Sequence, residues 1–477
     1  VIFITSASLA QTNNTITIRT EDLMMTVITS PTLPAAKEQQ LSLQAQERKK
    51  LITVLGSGLS GTTIEFYDFF IYGTAAALVF PSLFFPNLSP LMGLLVSFLT
   101  LSITFVSRPI GAIVFGHYGD KIGRKKSLVL SLMIMGISTF LIGLIPSYET
   151  IGNAAPLILI FLRLCQGFAI GGEWGGATTL ITEYAPRNRR GFFGTFVQLG
   201  NVLGLFIATA VFALVVMLPE DDLMSWGWRV PFLLSIALLF VGMFIRSRIE
   251  ETPVFKENQK QRENAPKSAE HKFPILTVLK HHRRAVFLAM GMRMGEIVLG
   301  WLTVAFFMSY VTRELNFTRE TALNGLLLAS FVGIFTFPFF GWLSDKIGRR
   351  PVYLAGATIT LIFAFPLFWM IDSGSVKMFM FATTFCYSVG LGMMFSVQPA
   401  FFSELFDTSV RYTGVSLGFQ LANIVGGLTP MIGTLLIAWS GGHSWPISLF
   451  LACMALITIA CVCVTRESYN DELNEVK

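Results

Sequence analysis

Twelve apolar stretches of membrane-crossing length follow one another along the chain. They lie near 54–80, 91–115, 128–146, 155–180, 192–218, 228–247, 285–309, 322–341, 352–371, 376–400, 413–438 and 445–464. A helix needs about 20 such residues to cross a bilayer. Hydrocarbon offers no partner to a backbone N–H or C=O, so each stretch must satisfy its own backbone as a helix. Composition agrees: 53% of residues are hydrophobic, only 13% are charged, and mean hydropathy is +0.63. Soluble domains carry about 25% charged residues. The expected fold class is an all-α membrane protein of twelve transmembrane helices.

The net charge of +6 does not point to nucleic acid, because the basic residues are segregated. With the N-terminus in the cytoplasm, most fall on the inner side. These include Lys121, Arg124, Lys125 and Lys126 between spans two and three, and Arg187, Arg189 and Arg190 between four and five. A Lys/Arg-rich segment separates spans six and seven. Outside lie Arg229, Arg313, Arg319 and Lys377. This bias predicts a multi-pass membrane protein with both termini cytoplasmic. The five cysteines, Cys165, Cys386, Cys453, Cys461 and Cys463, all fall within spans without metal-ligand spacing. They read as small packing residues, with neither a disulfide nor a metal expected. The opening "VIFITSASLA" lacks a basic start and is too short to span, so it is not read as a signal peptide. The chain begins with Val, which raises the expectation that about the first 23 residues precede the natural start. Residues 11–50 are polar and are expected to be flexible.

The chain also repeats itself. "GHYGDKIGRK" begins at Gly116 and "GWLSDKIGRR" at Gly341, 225 residues on. Glu183 and Arg190 recur as Glu404 and Arg411, and "QLGNVLG" from Gln198 recurs as "QLANIVG" from Gln420. The expected organisation is a flexible tail (1–50), a six-helix half (51–247), a polar linker (248–283), a second six-helix half (284–464) and a short tail (465–477). An even number of spans per half gives both the same orientation. Pseudo-symmetric halves with a midplane site are the architecture of secondary transporters. The linker is too short and polar for a folded catalytic or sensory domain.

In the two repeated loops, Gly116, Gly119 and Gly123 permit sharp turns. Asp120 can pair with the neighbouring cations Lys121 and Arg124 or sit at a helix N-terminus. Asp345, Lys346, Arg349 and Arg350 repeat the pattern. This loop, present twice, resembles the hallmark of the major facilitator superfamily, and the resemblance covers roughly residues 50–465. It implies a cytoplasmic gate that breaks and re-forms during alternating access. Asp120, Lys121, Arg124, Asp345 and Arg349 would form that gate, with Gly116 and the repeated pairs Glu183/Arg190 and Glu404/Arg411 beside them. In "RLCQGFAIGGEWGGA", Arg163, Gln166 and Gly167 match the family's RxxQG pattern in span four, which the resemblance links to proton coupling. Gly171 with Gly175, and Gly172 with Gly176, place small residues on one helix face for close approach of a neighbour. Glu173 among them reads either as a structural or cavity-facing acid or as a functional one. "GGEWGGA", the span-one acids, "SWGWRVPF" and "EETPVF" together are similar to the bacterial metabolite:proton symporters, a branch whose substrates include shikimate, α-ketoglutarate, citrate and proline/betaine. "ELFDTSVRYTG" departs from that branch at Asp407, where Pro is usual; only the local loop shape is put in doubt.

Charged residues within spans are costly, about 2.5–3.5 kcal/mol each at a helix centre. Glu65 and Asp68 lie near mid-depth of span one, share a helix face and are continued by Tyr72. That face must meet a cavity or cations. Burial favours a neutral acid and a guanidinium favours its anion, so a carboxyl group between the two can exchange protons. A permanent ion pair holding helices together is the alternative. In span seven, Arg293 and Glu296 share a face: either Arg293 binds a substrate carboxylate bidentately, or the two neutralise each other. Arg108, roughly 12 Å from the basic loop, has the reach to snorkel to the interface. Gln198, Asn201, Gln420 and Asn423 place amides at matching positions of spans five and eleven, to line the cavity or to bond between helices.

No catalytic constellation, phosphate loop or HExxH motif occurs, so neither an enzyme nor ATP drive is expected. The expectation is proton-coupled symport of a small carboxylate by alternating access. It uses no cofactor, and the chain acts as a monomer in the bilayer, its partners being a small molecule and protons rather than nucleic acid. Uptake of another metabolite, such as a di- or tricarboxylate or proline/betaine, is the alternative. Export is less favoured, because span five, "GTFVQLGNVLGLFI", lacks the Pro that exporters often carry there.

Overall fold

A computed structural model describes residues 33–122, 124–171, 173–247, 280, 282–406 and 411–469. Side chains are not described at 33–50, 112–113, 116–128, 173, 245–247 and 412. The chain divides into two units, Val1–Ile52 and Thr53–Lys477; the second carries the bundle.

Twelve principal helices follow in order: α1 Leu33–Leu78, α2 Pro90–Ile122, α3 Arg124–Gly143, α4 Ala154–Tyr184, α5 Arg190–Val215 and α6 Val230–Ser247. Then come α7 Arg283–Arg313, α8 Arg319–Ile347, α9 Arg349–Asp372, α10 Val376–Leu405, α11 Arg411–Trp439 and α12 Trp445–Val464. Among the described residues, ten helical stretches are long and apolar enough to span, and Val129–Gly143 is a shorter one. With α1 they make the twelve expected. α1 starts at Leu33, inside the segment expected to be a flexible tail. The reason is composition: "AAKEQQLSLQAQERKKL" holds strong helix formers and neither Gly nor Pro.

Two pairs of helices make the main contacts between the repeats, and α4 also meets α10 and α11. α5 lies along α8, and α2 packs on α11. Within the first repeat α2, α3 and α4 pack together with α6 on α3, and within the second α9 packs on α12 and α7 on α11 and α12. Exposed Phe, Leu and Trp side chains such as Phe161, Phe240, Phe335 and Trp369 form the lipid-facing surface, while polar residues are buried between helices.

Glycine sets the closest approach. A Cβ on Gly111 of α2 would strike the carbonyl of Phe168 in α4, and one on Gly167 would strike Thr104. Gly175, from the small-residue stripe of span four, faces Ser416 of α11, as expected of a helix-approach face. Gly111→Val is therefore expected to cost about 1–3 kcal/mol of overpacking strain, seen as a lower melting temperature of the detergent-purified protein. Gly56→Ala, with nothing within 4 Å, is the control and should lose none.

Candidate functional site

Three polar clusters run through the bundle. The first surrounds Asp68. Its Oδ2 accepts from the Thr139 hydroxyl at 2.7 Å. Thr139 in turn accepts from Gln166 Nε2 at 2.6 Å, and Gln166 Oε1 accepts from Arg163 at 2.7 Å. Asp68 and Arg163 are thus joined through an amide and a hydroxyl rather than by direct contact. Asp68 Oδ1 is buried and has no hydrogen-bond partner among the described residues. Arg163 stacks 3.7 Å from the Tyr72 ring centre, and the Tyr72 hydroxyl shares a 2.6 Å hydrogen bond with Thr100. Glu65, equally buried, interacts electrostatically with Asp68 and Arg108.

The second cluster centres on α7, which is interrupted at Arg293 and makes a π-helical turn over Leu302–Phe306; α10 makes another over Cys386–Leu391. Such turns concentrate at functional sites. Arg293 Nε pairs with Glu296 at 3.1 Å, and its Nη1 donates to Phe419 O at 2.7 Å and Asn423 Oδ1 at 3.0 Å. Glu296 also accepts from Gln398 at 2.8 Å. The guanidinium lies 3.5 Å from the Phe419 ring centre, and the Trp174 ring stacks on Phe419 with ring centres 3.5 Å apart. Trp174 Nε1 donates to Gln198 Oε1 at 3.1 Å, so one stack ties α4, α5, α11 and α7 together.

Between these clusters is a central cavity of about 60 Å³. Substrate pockets usually run about 300–1,000 Å³, so this one is contracted to room for a few waters. Arg108, Asn201, Arg293, Glu296 and Asn423 line it, among rings that include Phe66, Phe69, Phe105 and Trp301. A larger hollow of about 360 Å³ sits away from it, around Tyr310, Asp372 and His443. Its Asp372 is already taken by Tyr310 at 2.7 Å and by Ser444, so the central cavity is the candidate site.

The third cluster is a network of ion pairs between the two repeats at the end carrying the repeated loops. Arg349, fully buried, pairs with Asp345 at 2.7 Å and Glu404 at 3.4 Å. The Asp345 carboxylate also accepts the backbone N–H groups of Gly191 and Phe192, both at 2.8 Å, at the N-terminus of α5. The partial positive charge there favours an anion. The repeated Glu/Arg pairs are exchanged between repeats: Arg411 meets Glu183 at 3.6 Å, and Arg190 interacts electrostatically with Glu404. Thr182 donates to Ser403, its counterpart 221 residues on, at 3.1 Å. Residues after α12 join this network. Glu467 accepts from the backbone N–H of Arg349 and Arg350, each at 2.9 Å, and Ser468 donates to Glu404 at 2.7 Å. At the opposite end the ties are exposed, such as Arg319–Glu220, and exposed pairs contribute little.

Several expectations change against this geometry. Of the two surroundings open to the Glu65–Asp68–Tyr72 face, the structure gives cations: Arg163 lies on the Tyr72 ring and is linked to Asp68 through Gln166 and Thr139, and Arg108 is an electrostatic neighbour of Glu65, while α1 presents Phe66, Phe69 and Phe70 to the cavity. Arg108 does not snorkel. It is only 4% exposed and is held between the rings of Phe69 and Phe105, 4.4 and 4.7 Å from their centres. The two readings of Arg293 and Glu296 turn out compatible, since they pair and both line the cavity. All four amides bond between helices, Asn201 to Tyr387 at 3.3 Å, Asn423 to Arg293 at 3.0 Å, Gln198 to Phe395 O at 3.1 Å and Gln420 to Arg108 at 3.4 Å, and only Asn201 and Asn423 also line the cavity. Gly116, Asp120, Lys121, Arg124 and Glu173 fall on side chains outside the described residues. Thr139, Gln398, Trp174, Phe419, Glu467 and Ser468 were not singled out by sequence. Trp174 stood inside a quoted motif, but the others carry no spacing that marks them.

Two sets of six membrane helices around a central cavity of arginines, amides and aromatic rings, tied at one end by the buried Arg349 cluster, define a secondary transporter of the major facilitator type. The chain belongs to the sugar (and other) transporter family, whose model matches residues 55–477. It is 38% identical over 433 residues to the shikimate transporter of Escherichia coli K12, covering 90% of this chain and 97% of that one. It is also 38% identical over 426 residues to the inner membrane metabolite transport protein YhjE of the same organism, covering 88% and 95%. Among solved structures it resembles the E. coli xylose transporter XylE in a partially occluded inward-open conformation, with a TM-score of 0.69 over 88% of this chain and 98% of that one. At 16% identity that likeness shows the fold alone. The protein is a multi-pass inner-membrane transporter and not an enzyme.

Proposed function

We propose that the protein imports a small organic carboxylate, shikimate or a close relative, together with protons, by alternating access. The observation that carries the reading is the buried chain Asp68–Thr139–Gln166–Arg163 beside a cavity walled by two arginines and aromatic rings. A carboxyl group with one bonded and one unfilled oxygen can take and release a proton. A cation-lined aromatic cavity suits a carboxylate on a compact body. The 38% identity to a shikimate transporter supports the same substrate class.

The loop end, rich in Lys and Arg, faces the cytoplasm in this reading, with both termini there. The seal around Arg349 then closes the cytoplasmic side, and the contracted cavity belongs to a state awaiting or enclosing substrate. The six-helix halves, 51–247 and 284–464, rock about the cavity as the seal breaks and re-forms. The proton gradient supplies the free energy and no cofactor takes part; a single chain suffices, since the cavity is built entirely from its own helices.

Purified protein in proteoliposomes, given shikimate under an imposed inward pH gradient, tests this. Uptake above the gradient-free level that collapses with a protonophore is expected. Uptake indifferent to both gradient and protonophore would sink the coupling, and no uptake of shikimate, quinate, di- or tricarboxylates would sink the substrate class.

A further inference from the structure

Resting on the reading that the cargo is a small carboxylate, we propose that Arg108 of α2 is the residue that binds the cargo's carboxylate in the central cavity, and that the site is matched to a single negative charge.

Three buried arginines compete for that role, and their partners separate them. Arg163 Nε also lacks a hydrogen-bond partner among the described residues, but Arg163 is not part of the cavity wall, and its other nitrogens donate to Gln166 and, at 3.4 Å, to Leu101 O while its face lies on the Tyr72 ring. Arg293 lines the cavity, but its Nε is taken by Glu296 and its Nη1 by Phe419 O and Asn423. Arg108 lines the same cavity with far less bonding. Its Nη1 reaches Gln420 Oε1 at 3.4 Å, and its buried Nε has no hydrogen-bond partner among the described residues. The two flanking rings stabilise the cation electrostatically without accepting its N–H groups in the plane of the fork. A buried donor left unmade is costly, and a carboxylate arriving in the cavity supplies the acceptors the fork lacks, bidentately. The ring walls of Phe66, Phe69, Phe105 and Trp301 then enclose a compact ring or apolar body.

Charge balance sets the valence. Among the described residues the buried charges near the cavity are Arg108, Arg293 and Glu296 in its wall and Arg163, Glu65 and Asp68 in the cluster behind it, and the six cancel. Protonating one acid leaves one positive charge in excess, and one bound carboxylate restores neutrality. Net charge in a low-dielectric site is strongly unfavourable, so a monocarboxylate entering with one proton is the matched cargo. A tricarboxylate would leave two charges without partners. Glu65, an electrostatic neighbour of Arg108, does not line the cavity.

The test compares shikimate with its methyl ester, which keeps the ring and removes the charge. Binding is read as thermal stabilisation of the detergent-purified protein. Wild type is expected to bind the acid at least tenfold more tightly than the ester, with citrate giving no stabilisation. Arg108→Gln is expected to bind the ester as wild type does, which reports an intact fold, and to bring acid and ester within twofold of each other. Arg108→Lys, which keeps the charge and loses the fork, should fall between. A preference for the acid that survives in both variants, or a wild type that binds both alike or neither, overturns the proposal, and so does stabilisation by citrate equal to that by shikimate. A wild type that prefers the acid yet fails to accumulate it under a pH gradient would sink proton coupling and leave the assignment of Arg108 standing.

Discussion

Arg349→Ala is expected to release the seal at the loop end and to cut uptake by at least tenfold. Arg349 is fully buried and answers Asp345 and Glu404 together. Its loss leaves two buried carboxylates around a missing cation, a change of about 3–5 kcal/mol. Part of Asp345's charge is still met by the N–H groups of Gly191 and Phe192, so the lower figure is the safer one. At about 1.4 kcal/mol per factor of ten, even that shifts the ratio of closed to open conformers by about a hundredfold. The readout is a cysteine placed at Ser403, which is buried in the sealed state. In inside-out vesicles, Arg349→Ala should make it react much faster with a membrane-impermeant maleimide. Equal labelling rates with and without Arg349 would mean the cluster is structural rather than a gate.

The reach of the sequence is uneven, and the seal shows why. The duplicated "DKIGR" loops and the Glu/Arg repeats mark a charged cluster at one end, because a repeat with charges retained at fixed offsets is visible in one dimension, whereas its role as a gate is implied only by the family resemblance. That Arg411 would meet Glu183 rather than Glu404 was not visible. Partner exchange between repeats is a property of how two helix sets face each other across an approximate two-fold, and spacing along one set carries no information about it. Glu467 was likewise hidden, since its role depends on the chain folding back beneath α9 after α12. The spans were legible because hydrocarbon imposes one length and one backbone solution. Helix rotation was not. Glu65, Asp68 and Tyr72 were seen to share a face, but which neighbour that face meets depends on packing angles that an all-round apolar helix does not encode. Arg108 was misread for the same reason. Distance along the helix allowed snorkelling, whereas the rings of Phe69 and Phe105 give its cation a place to stay.

Asp68→Asn is expected to uncouple transport from protons while leaving the carrier able to exchange substrate. Asparagine keeps the size of the side chain and can still accept the Thr139 hydroxyl through its carbonyl oxygen, so the chain to Gln166 and Arg163 survives. What it removes is the group that can be charged in one half-cycle and neutral in the other. A carrier moving one proton per substrate without net charge accumulates tenfold per unit of pH gradient, since each unit is worth about 1.4 kcal/mol. Across a gradient of about two units the wild type should therefore concentrate substrate about a hundredfold, and the variant not at all. Counterflow between preloaded and external substrate should persist in Asp68→Asn, because it needs only the binding site and the rocking of the two halves. Loss of both activities at normal protein level would make Asp68 part of the binding or folding machinery. Undiminished accumulation would move the proton to Glu65 or Glu296, and the same pair of measurements on Glu65→Gln and Glu296→Gln would then decide between them.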